Sequence, residues 1–138
     1  MKIEKQLAPK FYQNLGKLFY AIAAIDGNVR DEELDKLKEI VKKEWLTNNA
    51  IEDSLKTTVE HSIINTFKWL HNDNEYNAEA CYNSFITFKR EYESLFTNDI
   101  KTLILKTARA VATSFSKVNK SELMVLAKLD MELKKIKT

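Results

Sequence analysis

Glycine occurs twice, proline once and cysteine once in this chain of 138 residues. Each scarcity excludes something. A β-rich fold needs many turns, and glycine and proline are their usual punctuation. Phosphate-cradling loops and hydrolase elbows are built around glycine, so neither has room here. A lone Cys81 can form no internal disulfide, no Cys-x-x-Cys pair and no zinc pattern. Charge of one sign is also lacking. The 22 basic residues nearly balance the 20 acidic ones, for a net +2, which argues against a partner bound through nucleic-acid phosphates. The small basic cluster Lys134, Lys135 and Lys137 fits the last turn of a helix, where cations complement the macrodipole. No apolar run approaches the roughly 18 residues that predict a transmembrane helix. The opening MKIEKQLAPKFY has no signal-peptide core, so a cytoplasmic protein is expected.

What is present reads as helix. Hydrophobic residues make up 44% and charged residues 30%, the balance of a folded domain. The length predicts one domain over residues 1–138. A domain of this size buries roughly 68–70% of its unfolded surface and needs no covalent staples. From Pro9, a good first-turn residue, Phe11, Leu15, Leu18, Phe19, Ile22 and Ile25 form one helical stripe. Asp26-Gly27 ends that helix, with Gly27 free to take φ > 0. A second helix is predicted from about Asp31 to Leu46 and a third from about Ala50 to Leu70. His71 to Asn77 reads as a loop, followed by a fourth helix from about Ala78 to Phe96. Thr97 is a candidate N-cap for a fifth helix to about Phe115, and a sixth starts after Asn119. The expected fold is all-α, a single-domain bundle of about six helices.

The first two helices and the last two align at an offset of 89 residues, as from Ala21 to Ala110. Ala23 then matches Ala112, Val29 matches Val118, Glu33 matches Glu122, Leu34 matches Leu123 and Leu37 matches Leu126. This predicts two related helical hairpins with the third and fourth helices between them. The second hairpin opens on a capping box, Asn119-Lys-Ser-Glu122. The first has Arg30 in the capping position, and carries Asp26, Gly27 and Asn28 where the second has Phe115, Ser116 and Lys117. A corner that only had to turn would not need that exchange.

Asp26, Asn28, Asp31, Glu32 and Glu33 offer hard oxygen ligands of the kind that Ca²⁺ or Mg²⁺ takes. At 100° per residue, Glu33 lies about 40° from Leu37, on the apolar side of its helix. A carboxylate there must be paired, capped or bound to a cation. Three readings of Glu33 therefore stand together: service to backbone amides at the helix start, ligation of a cation, and contact with a partner.

The run Ala21, Ala23, Ala24, Asp26, Gly27, Val29 and Glu33 resembles the TerB-like family, named for a tellurite-resistance protein. The family is all-helical, with a weaker second copy of the motif near its C-terminus, as Val118 and Glu122 provide here. The resemblance implies a non-enzymatic, stress- or resistance-associated domain that binds a metal through acidic loop residues. By it, Asp26 and Glu33 are candidate ligands with Asn28 as a helper, and Ca²⁺ or Mg²⁺ is the implied cation. A metal-free module that binds protein partners is the alternative, and an exposed apolar patch around Trp69 or Trp45 would favour it. His61 and His71 read as loop or surface residues, Cys81 as a buried inert thiol, and Phe85, Phe88 and Tyr92 as core.

Overall fold

The computed structural model describes residues 7–25, 29, 31–46, 56–73, 77–115 and 120–134, with the backbone alone at 114, 115, 121 and 122. Among them are six α-helices and no strand. They are α1 (Ala8–Ala24), α2 (Asp31–Glu44), α3 (Lys56–Asn72), α4 (Ala78–Glu91), α5 (Asn98–Phe115) and α6 (Lys120–Lys134). The all-α bundle read from the sequence is what forms.

α1 is the centre of the fold. It buries twelve of its 17 residues, far more than one amphipathic stripe, so it needs neighbours on several sides. α3, α4 and α5 supply them, with α6 adding a smaller contact. α3 runs in the direction of α1: Gly16 meets Ile63 and Thr66, and Tyr20 meets Phe67 one turn on, with ring centroids 5.6 Å apart. α4 runs the opposite way, because Phe11 lies by Phe88 while Asn14 and Lys17 lie by Ser84. Gly16 is what lets α3 come so close. A Cβ there would stand 2.8 Å from the Ile63 carbonyl oxygen and 2.8 Å from the Thr66 Cβ.

α2 does not fold back along α1 as a hairpin arm. It packs across α5 and α3. Trp45, just beyond its end, is fully buried, packs edge-on to Tyr12 and Phe19, and donates from Nε1 to Thr107 Oγ1 at 2.8 Å. That bond satisfies the indole N–H inside the core. Glu44 and Lys106 reinforce the same α2–α5 contact at 3.0 Å.

The repeat holds for one pair of helices and slips in the other. Buried Ile100, Leu103, Ile104, Thr107, Ala108, Val111 and Ala112 fall on buried Phe11, Asn14, Leu15, Leu18, Phe19, Ile22 and Ala23 at the expected offset. In α6, however, Leu123 is 59% exposed where its counterpart Leu34 is half-buried, and Leu126 is half-buried where its counterpart Leu37 is fully buried. Buried Val125 and Leu129 instead take the places of Leu37 and Val41, a slip of one residue. One residue turns a helix by about 100°, so α6 shows its bundle a different face.

α4 is shorter than its apolar pattern predicts. It ends at Glu91, a 3₁₀ turn follows over Glu93–Leu95, and Phe96 folds back into the core. In one continuous helix Phe96 would lie about 16 Å along the axis from Phe85; their rings are 5.9 Å apart. The pull comes from a cluster in which Phe96 also meets Phe11 at 5.3 Å and Phe88 at 6.3 Å. Thr97 then caps α5, its Oγ1 accepting from the Ile100 N–H at 3.3 Å. Asn77 caps α4 in the same way through Ala80 at 2.7 Å. The Asp26-Gly27 stop, the Asn119 capping box and the expected helical residues 50–55 lie outside the described residues.

Gly16→Ala should test the α1–α3 approach. The alanine gains about 1 kcal/mol in helix propensity, but overpacking against the Ile63 backbone costs about 1–3 kcal/mol. A net loss of stability in urea unfolding is expected; a gain would mean that α3 can move away freely.

Candidate functional site

The corner between α1 and α2 is acidic. Asp31, Glu32 and Glu33 fill the first turn of α2, where unpaired N–H groups favour negative charge. Glu33 is buried at 8% exposure, on the apolar side as its helical phase requires. Asp31 projects into solvent, and His71 Nε2 lies 2.8 Å from its Oδ1. His71 is therefore not a loop residue. It sits in the last turn of α3, and its acidic partner comes from across the fold, not from its own helix. His61 is exposed, as expected. Asp26 and Asn28, the other two candidate ligands, lie outside the described residues. Among the described residues, no three His, Cys, Asp or Glu side chains form a group able to hold a metal ion.

A second feature runs along the open side of α1. α3 and α4 both flank this helix but make little contact with each other. Between them Lys10 and Gln13 are exposed and Lys17 is half-buried. A cavity of about 340 Å³ lies toward α3, lined by Gln13, Lys17, Asn65, Thr66 and Trp69. Another of about 320 Å³ lies toward α4, where Lys10, Asn14, Lys17, Ser84 and Thr87 are among the lining residues. Lys17 belongs to both. Its Nζ donates to Ser84 Oγ at 3.2 Å, Ser84 donates to Asn14 Oδ1 at 3.3 Å, and Asn14 Nδ2 donates to the Lys10 carbonyl at 2.9 Å. The amino group is thus held by a chain of polar contacts anchored on Asn14, itself buried at 6% exposure. Lys10 lies over the rings of Phe88 and Tyr92, 5.9 and 5.4 Å from their centroids, a cation–π position. Trp69 stands at the edge, 49% exposed. The two tryptophans have separate fates: Trp45 is core and belongs to no surface patch. Cys81 is buried, and burial pushes its thiol up while the Lys17 charge pulls the other way. The result is a poorly ionised, unreactive sulfur.

A third cluster joins α4 to α6. Lys89 is 1% exposed, yet its Nζ reaches the Glu132 carbonyl at 2.8 Å, the Glu132 carboxylate at 3.4 Å and Glu93 at 2.8 Å. Arg90 Nη2 donates to the same Glu132 carboxylate at 2.7 Å. Burial works against the Glu132 charge, but the Arg90 hydrogen bond and the Arg90 and Lys89 charges outweigh it and hold this carboxyl below the usual range. Beside it, burial pushes the Tyr82 hydroxyl up to about 12, with Glu132 adding to the shift and Arg90 opposing it. The sequence carried a signal for this cluster. Lys89 continues the Cys81–Phe85 row at four-residue steps, so a lysine falls on an apolar stripe. The cluster is a fastening: removing one member of a buried ion pair strands the other.

Comparison with known proteins found no matching family model, no matching curated protein and no matching solved structure.

The Glu132 fastening has a pH signature. A carboxyl held low in the folded state contributes stability that is complete above the ordinary carboxylate range and drains away as pH falls through the lowered value. Denaturation curves from about pH 6 to pH 3 should show Glu132→Gln less stable at the upper end and less sensitive to acid. Parallel curves for the two proteins would remove Glu132 from the acid response.

Proposed function

We propose that this chain is a non-enzymatic TerB-like helical domain of the cytoplasm, serving a stress or resistance response by binding a protein partner through the α1–α3–α4 face. Trp69 carries this reading. It is 49% exposed at the edge of a cavity that Lys17 also lines. Large aromatic side chains are the usual anchors of protein interfaces, because they bury much area at low entropic cost. The other groups lining that cavity are amides, a hydroxyl and an amine, suited to a polar rim. A photo-crosslinking phenylalanine analogue at position 69, introduced in the native cell, is the direct test. One discrete protein adduct is expected, lost on Lys17→Glu and absent when the analogue sits at exposed Asp35 on α2. No adduct from position 69 would reject the interface.

A second reading is favoured by the burial of Glu33. A carboxylate in that position is stabilised by a nearby cation, and Asp26 with Asn28 would complete an oxygen-rich corner for Ca²⁺ or Mg²⁺. Titration of chelator-stripped protein with each cation, followed by two-dimensional amide NMR, should give saturable shifts over Gly27 to Glu33. Those shifts should vanish in Asp26→Asn. Silence at millimolar Ca²⁺ and Mg²⁺ would reject the cation.

A further inference from the structure

We propose that the groove along α1 receives an amphipathic helix of a partner protein, carrying two acidic residues seven positions apart. This rests on the protein-partner reading above and adds the partner's chemistry. α1 already has α3 beside it in the same direction and α4 in the opposite direction. The space between these two flanks, above Lys10, Gln13 and Lys17, is bounded as a helix-packing groove is bounded, with one helix as floor and two as walls. The residues that line both cavities all come from those three helices.

The floor dictates the partner's charge and spacing. Lys10 and Lys17 stand one heptad apart, about 10 Å along the axis of α1. A helix laid along α1 presents residues i and i+7 on one face at that same spacing. Acids in those two positions would meet both amines at once. The amines are prepared for it in different ways. The Ser84–Asn14 chain positions Lys17, and the Phe88 and Tyr92 rings support Lys10. Organising the charges before binding lowers the ordering cost of association. Glu91 is the acid among the lining residues, so the pair of lysines leaves the floor positive. Trp69, on the α3 wall beside Gln13 and Lys17, supplies the apolar contact for a residue about one turn from the acid that meets Lys17.

The probe is a fluorescein-labelled helical peptide of about 17 residues, with two glutamates seven positions apart and a leucine between them on the same face. Its partner probe replaces both glutamates with lysine. Binding of the glutamate peptide to the full chain is expected by anisotropy, with amide shifts along Lys10–Lys17, Asn65–Trp69 and Ser84–Thr87. The double variant Lys10→Glu, Lys17→Glu should weaken it at least about tenfold. The same variant should bind the lysine peptide better than the wild type does, which a merely misfolded protein would not. The inference falls if the glutamate peptide does not bind at about millimolar concentration. It falls also if the double variant binds it equally well, or if inorganic phosphate alone reproduces the shifts. A Trp69 adduct together with a silent peptide would overturn the acidic helix while keeping the protein interface; loss of both would overturn both.

Discussion

The desolvation of α1 is the constraint on which the other contacts depend. Aromatic, aliphatic and small residues surround this helix, and no single neighbour could cover them. α3 can reach it closely only because residue 16 has no side chain. α4 and α5 then cover the remaining faces, and Phe96 returns from beyond α4 to fill the aromatic cluster around Phe11. Close-packed interiors tolerate few voids, so the chain breaks α4 early to place that ring.

The polar groups of the interior follow from the same demand. Once α1 occupies the centre, some chain atoms with hydrogen-bonding capacity end up at its margins. Asn14 bonds to a backbone carbonyl and to Ser84. Trp45 finds Thr107. Lys89 is satisfied by a carbonyl and two carboxylates. Buried polar groups are tolerated when they are paired in this way, and each pair also fixes one helix against another. α6 packs on α5 and α1 and is tied to α4 by the Lys89 and Arg90 ion pairs to Glu132.

The two places of functional interest lie at different ends of α1. The acidic corner follows its last turn, where the α3 terminus brings His71 to Asp31. The lysine-floored groove covers its first half. Trp69 of the groove and His71 of the corner lie two residues apart near the end of α3, so α3 links the two places.

Helical periodicity made much of this legible in advance. The six helices, the Thr97 cap, the burial of Cys81 and the inward phase of Glu33 all depend on residues within a few positions of one another, and local spacing sets them. The acidic corner was visible as composition, and its buried glutamate as phase. Other features required the tertiary structure. The His71–Asp31 contact, the Lys89–Glu132 fastening and the lysine groove each join residues on different helices, and periodicity within one helix says nothing about which other helix arrives. The one-residue slip of α6 is of the same kind: the sequence match placed Leu126 with Leu37, but packing chose Val125. The sequence by itself determined where helices form and which side of each is apolar, because those depend on short-range sterics and spacing. Only the tertiary structure decided which faces meet and which charged groups become neighbours, because those depend on how several helices share the burial of one.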